Sequence, residues 1–294
     1  MICLERIKYS DLFWASIFLL PNLLGFIIFI LLPVLASFGI SFLEWDLLGE
    51  MDWIGLGNYK ELMTDSVFWK VLWNTIYFTV VTVPVGIMIS LFLAIALNQK
   101  IRGLKIFRSV YFLPVISSMV AVAMVWQWIY NPQFGLLNYL LSLIGINGPS
   151  WLSSTIWAMP AVMITSIWKC LGFNMLLFLA GLQGISETYY EAAEIDGANW
   201  FSKFRNITIP LLSPTTFFVI VMSVINSFQV FDQIYIMTQG GPARSTSVLV
   251  HYLYQNAFQY YRMGYASSIA YVLFFLVFIV TLIQLKRSNK WVVY

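Results

Sequence analysis

Six long apolar stretches constrain this chain more than any other feature: Leu12 to Phe42, Val71 to Leu97, Ile106 to Trp128, Ile156 to Leu182, Thr215 to Met237 and Ser267 to Leu285. A helix rises about 1.5 Å per residue and the hydrocarbon core of a bilayer is about 30 Å thick, so each stretch is long enough to cross. A soluble fold would have to hide all six under a polar shell. No such shell can be built, because 60% of the 294 residues are hydrophobic and only 10% are charged, against roughly 25% in soluble domains. The expected architecture is an all-α integral membrane protein with six spans in a single domain over residues 1–294. Glu5, Arg6 and Lys8 resemble the start of a secretory signal, but the run behind them exceeds an h-region and has no small-residue cleavage site. It is expected to stay as a helix interrupted near Pro21 and Pro33, with Pro84 and Pro114 kinking the next two spans.

Basic residues are retained on the cytoplasmic side of a membrane, so their placement sets the orientation. With the N-terminus inside, the inner segments hold eleven: Arg6, Lys8, Lys100, Arg102, Lys105, Arg108, Lys203, Arg205, Lys286, Arg287 and Lys290. The outer segments hold four, Lys60, Lys70, Arg244 and Arg262. Both termini are therefore expected in the cytoplasm. Trp45, Trp53, Trp69, Trp73, Trp126, Trp128 and Trp151 fall near the expected outer ends, where interfacial aromatics collect.

Several kinds of chemistry are excluded. The net charge of +3 comes from scattered clusters and marks no nucleic-acid groove. Cys3 and Cys170 sit in a tail and an apolar run and suggest no disulfide framework. A single histidine, His251, rules out a paired-histidine metal site and reads as a surface residue. Gly240-Gly241-Pro242 is not followed by Lys-Ser or Lys-Thr, so it reads as a turn and not as a phosphate loop. The chain is expected to be no enzyme and to bind no cofactor; energy, where used, must come from a partner.

The segment from Gln183 to Ser213 differs from the other inner loops in being long and in carrying four acids. Ser186 is a natural N-cap, and Glu187 suits the positive end of a helix. Tyr189, Tyr190, Ala192, Ala193 and Ile195 give that helix an apolar aspect, and Gly197 stops it. Ala198 to Phe204 then reads as a second short helix, with Pro210 and Pro214 punctuating re-entry into the membrane. An amphipathic helix lying on lipid would carry a basic polar face, not an acidic one. A compact projection fits better.

Within this segment, Tyr190-Glu191-Ala192-Ala193-Glu194-Ile195-Asp196-Gly197-Ala198, followed by Phe201, Phe204, Ile207, Ile209-Pro210-Leu211 and Pro214, resembles the EAA loop of binding-protein-dependent ABC importer permeases. Gly57-Asn58-Tyr59, Phe68-Trp69 with Asn74-Thr75, Leu171-Gly172-Phe173-Asn174 and Thr238-Gln239-Gly240-Gly241-Pro242 resemble the sugar-permease branch of that family, which includes the maltose and glycerol-phosphate systems. The resemblance implies a type I importer permease in a bacterial cell membrane. Its implied partners are a second, usually unlike permease, two ATP-binding subunits that hold ATP and Mg2+, and an extracytoplasmic solute-binding protein. It also implies that Tyr190, Glu191, Ala192, Ala193, Asp196, Gly197 and Ala198 couple this chain to an ATPase.

The expected function is the transmembrane permease subunit of an ATP-driven importer for a sugar or related solute, working by alternating access. Asn226, Gln229 and Gln233 recur at helical spacing on the fifth span and are expected to share an inward face. Amides both donate and accept toward hydroxyls, and Trp168 or Phe173 can stack on a sugar face. With Asn174 and Lys169 they form the candidate path, although such amides also serve merely to hold helices together and Lys169 reads first as a cation capped by carbonyls. The main rival is an ion-coupled secondary transporter or channel. Lys169 and Asp232 are the charges clearly inside spans, away from their ends, and counted along straight helices they lie about 20 Å and about 6 Å from the outer ends. Unequal depths weaken a relay. A membrane enzyme lacks a nucleophile and base set.

Overall fold

The computed structural model describes residues 9–99 and 103–292. Cys3, Glu5, Arg6, Lys8, Lys100 and Arg102 lie outside the described residues, as does the side chain of Lys105. The chain divides into two compact units, one made of the residues up to Thr64 with Gln255–Tyr271, the other of Asp65–Tyr254 with Val272 onward.

In the first unit α1 (Tyr9–Phe26) runs through Pro21 into a π-helical turn, Ile27–Leu31, and continues as α2 (Leu32–Ile40). Pro33 follows directly on that π turn, and a locally widened helix accommodates the missing N–H and the ring of a proline inside a continuous helix. The expected interruption is thus a widened turn, not a break. Apolar side chains on all sides of this helix, Phe18 and Phe29 among them, are exposed, as suits a helix surrounded by lipid. A two-residue antiparallel pair follows, β1 (Leu43–Glu44) with β2 (Asp52–Trp53), and then α3 (Gly57–Thr64). Asn58 is buried and donates to the carbonyls of Ser41 at 3.0 Å and Leu43 at 2.8 Å, while Tyr59 donates to the Ser41 hydroxyl at 2.8 Å. Those acceptors lie just past α2, so Gly57-Asn58-Tyr59 closes that helix end. Arg262 grips both oxygens of Glu61 at 2.7 and 2.6 Å.

The second unit begins with α4 (Ser66–Leu97), capped by Asp65, whose side chain accepts from the Val67 amide at 2.8 Å. It passes Pro84 without a break in its helical assignment. Next come α5 (Leu104–Ile116) and α6 (Met119–Ile129), which bend by 102° at the residues after Pro114. After the short α7 (Leu136–Leu143), α8 (Ala158–Gln183) packs on α4 and α5. A Cβ on Gly172 would strike the Tyr111 carbonyl, so a small residue is required where α5 and α8 approach. The helices α9 (Glu187–Ile195) and α10 (Trp200–Lys203) form an elbow. A π turn, Phe204–Thr208, and α11 (Ile209–Leu211) lead through a 63° bend into α12 (Ser213–Phe228). Then come α13 (Asp232–Met237), α14 (Leu249–Tyr254) and α15 (Met263–Ser288), whose first part belongs to the other unit.

Among the described residues four helices are long and apolar enough to cross a membrane, and counting each bent pair as one span gives up to six. Three expectations are corrected. The fifth stretch, expected as one helix to Met237, ends at Phe228 and restarts at Asp232. Trp151 is buried among protein side chains and not open to lipid headgroups, its indole N–H donating to Asn138 Oδ1 at 2.7 Å and its ring packing on Tyr130. His251 is 1% exposed and lies under Gly240, where an added Cβ would come within 2.6 Å of the imidazole. The lone histidine therefore packs the Thr238–Pro242 turn. That turn is tied to α4: Asn74 donates to the carbonyls of Arg244 and Ser247, each at 2.9 Å, and the Leu249 amide donates to Thr75 at 3.0 Å.

Candidate functional site

The cavity at the helix breaks has a volume of about 340 Å3 and lies wholly within the second unit. Asn226, near the end of α12, Gln229 in the break and Gln233 in α13 all line it. They do so without sharing a helix face, since the helix that would carry the periodicity is interrupted between them. Lys169, Phe173 and Asn174 line it from α8. Asn174 is buried and lies 3.5 Å from the Ser223 hydroxyl on α12. Trp168 is not part of this lining; it packs edge-on against Trp126, ring centres 5.6 Å apart. The sequence reading missed Thr82, Ser166 and Ser223, which add hydroxyls to the wall. Serines and threonines in apolar helices are common enough that spacing alone did not separate these from the rest. A larger cavity, about 470 Å3, surrounds Trp128, Phe134, Asn138 and Tyr139 and contains none of the candidate residues.

The bend between α5 and α6 interrupts the helical hydrogen-bond ladder, with the Pro114 carbonyl still accepting from the Ser117 amide at 3.2 Å. Lys169 binds there. Its ammonium donates to Ser117 O at 2.6 Å, to Val115 O at 3.1 Å and to Pro114 O. The ammonium and the bend therefore stabilise each other, since each supplies hydrogen-bond partners to the other. Asp232, expected at a different depth from Lys169, lines the same cavity. Counting 1.5 Å per residue holds only for unbroken helices, and the break before Asp232 invalidates it.

The elbow follows the local chemistry closely. Ser186 caps α9 by accepting from the Thr188 amide at 3.4 Å, and Asn199 caps α10 by accepting from Ser202 at 2.8 Å. Between them Gly197 has φ +75°, a left-handed conformation that strains other residues, and a Cβ there would meet no atom within 4 Å. Glu191, Ala192 and Asp196 are exposed, whereas Ala193 and Ala198 are partly covered. Tyr190 turns inward and its hydroxyl meets Thr208 at 3.0 Å, so it braces the elbow from within. The outward apolar side chains are instead Tyr189, Ile195, Trp200 and Phe201, with Ile195 87% exposed. Lys203 and Glu194 pair at 2.6 Å, and this hydrogen bond and charge hold the Glu194 carboxyl below its ordinary range.

Comparison with known proteins places this arrangement. Residues 86–288 match the family described as binding-protein-dependent transport system inner membrane component. The probable ABC transporter permease protein YesP of Bacillus subtilis is 39% identical, over 94% of this chain and 91% of that protein. The arabinooligosaccharides transport system permease protein AraP of the same organism is 36% identical, over 96% and 92%. A solved bacterial ABC transporter involved in the import of the acidic polysaccharide alginate superposes with a TM-score of 0.85 at 25% identity, over 97% of each chain. The fold is that of a type I importer permease, built as a multi-pass protein of the inner membrane. The chain belongs to the binding-protein-dependent transport system inner membrane component family and is the permease subunit of an ABC importer.

Proposed function

We propose that this permease carries a sugar or a related polyhydroxylated solute inward by alternating access. The observation that carries the reading is the cavity, where Asn174, Asn226, Gln229 and Gln233 stand beside Thr82, Ser166 and Ser223, with the Phe173 ring on the same wall. Amides and hydroxyls match the donors and acceptors of a carbohydrate, and an aromatic ring suits its apolar face. The charges on the same wall, Lys169 and Asp232, are a poor exchangeable pair for ion coupling, because the Lys169 ammonium is held by the Val115 and Ser117 carbonyls. Relatives named for arabinooligosaccharides and for trehalose and maltose support the same solute class.

In this reading residues 1–294 act as one transmembrane domain with both termini in the cytoplasm. The chain pairs with a second, unlike permease and receives solute from a binding protein, and two ATP-binding subunits bind and hydrolyse ATP with Mg2+. The elbow around Glu191 to Ala198 enters a cleft on one ATP-binding subunit, with Ile195 and Trp200 supplying apolar contact. The test is uptake into vesicles containing the assembled transporter. Uptake that requires ATP and the loaded binding protein supports the reading; uptake driven by a proton or sodium gradient without ATP would identify an ion-coupled transporter instead.

A further inference from the structure

We infer that Asp232 makes the cavity selective against acidic sugars, favouring uncharged or amino-bearing ones, because the donors of Lys169 are already held by backbone carbonyls. The inference rests on the reading that this cavity receives a saccharide. Among the described residues that line it, the charged side chains are Lys169 and Asp232. They are not equivalent. An ammonium has three N–H donors, and those of Lys169 are directed to the carbonyls of Pro114, Val115 and Ser117. An incoming carboxylate therefore finds no free donor on Lys169, and only the charge of the ammonium remains to it. Asp232 is exposed, and it lines the cavity between Gln229 and Gln233. Its carboxylate accepts hydrogen bonds from sugar hydroxyls or from an ammonium group, and it repels a uronate or a sugar phosphate. At an effective dielectric near 20, like charges about 7 Å apart disfavour binding by roughly tenfold to a hundredfold. Water reaching an exposed carboxylate brings that to about tenfold.

Cys170 lines the same cavity and supplies a built-in reporter that does not depend on which sugar is carried. In the assembled transporter, modification of Cys170 by a cationic and by an anionic methanethiosulfonate is followed by mass spectrometry of its peptide. Each rate is divided by that of the same reagent with a free thiol, which removes the intrinsic advantage of a cationic reagent at a thiolate, and the Lys169 charge beside Cys170 is common to all the variants compared. The cationic-to-anionic ratio should fall about tenfold in Asp232→Asn, and Asp232→Glu, which keeps the charge, should preserve it. Glucuronate should protect Cys170 from the neutral methyl methanethiosulfonate at about tenfold lower concentration in Asp232→Asn than in the parent. An unchanged ratio in Asp232→Asn, or protection that does not differ between the two proteins, would overturn the inference. None of these readings depends on uptake. If the charge ratio behaves as expected while Asn226→Leu and Gln229→Leu transport normally, the reading that this cavity receives the saccharide fails and the charge assignment stands.

Discussion

The elbow and the cavity are built in opposite ways. In the elbow nearly every structural decision is made within a few residues: Ser186 caps its own helix, Asn199 caps the next, and Gly197 takes the left-handed turn between them. In the cavity the decisions are made across the chain. Lys169 answers a bend more than fifty residues earlier, and Gln229 and Gln233 reach a common wall only because α12 stops at Phe228. Short-range elements survive substitution elsewhere and fail at single positions, whereas an assembled cavity shares its load among several side chains. Variants in the two regions should therefore differ in kind as well as in size.

The largest effect is expected at Gly197. Its φ of +75° places a β-branched residue under roughly 1–2 kcal/mol of strain, yet no neighbouring atom lies within 4 Å of an added Cβ. Gly197→Val should leave this chain folded and membrane-inserted while coupled uptake falls by about tenfold or more. Measuring subunit association alongside uptake separates lost docking from lost folding. Normal uptake and association would remove the elbow from the coupling path. Next come Asn226→Leu and Gln229→Leu. Each removes one amide whose hydrogen bond is worth about 0.5–1.5 kcal/mol net, so uptake should drop by roughly threefold to tenfold with assembly intact. Wild-type uptake by both variants would take these amides out of the path.

How legible each region was follows from the same contrast. The helix at Glu187, its cap and the positive φ of Gly197 were all read from adjacent residues. Even there, the direction of Tyr190 was not, because it is set by Thr208, eighteen positions away. The exposure of Ile195 had a local signal, an apolar side chain between Glu194 and Asp196, that was not taken as a contact point. In the fifth span no proline or glycine marks the break, and Val230-Phe231 reads as ordinary membrane helix. Lys169 was expected to be capped by carbonyls, and it is, but its acceptors were identifiable only from the packing of α5 on α8. The hairpin of β1 and β2 escaped notice because two-residue strands carry no readable alternation.

A smaller effect should come from Lys169→Met, which leaves the carbonyls of Pro114, Val115 and Ser117 without that donor. Stranding polar groups costs about 1–3 kcal/mol, and each kcal/mol lowers Tm by roughly 2–4 °C in a chain of this size. A Tm equal to the parent's would show that the bend holds without its cation. The smallest effect belongs to Glu194→Gln. Because Lys203 lowers the carboxyl below its ordinary value of 4.5, the pair stabilises the elbow above that pH and loses its contribution as pH falls through the lowered value. Both groups are near solvent, so the difference in Tm between parent and variant should be slight at neutral pH and absent in strong acid. A difference that grew on acidification would have the wrong sign.

Most direct is a paired measurement in vesicles containing the assembled transporter, with ATP hydrolysis and solute uptake recorded together for Asn226→Leu and Gly197→Val. The cavity variant should still hydrolyse ATP in response to the loaded binding protein while moving less solute. The elbow variant should instead hydrolyse ATP without regard to the binding protein, or lose association with the ATP-binding subunit. If both variants fail in the same way, or if Gly197→Val couples hydrolysis to uptake as the parent does, the division of work between cavity and elbow is contradicted.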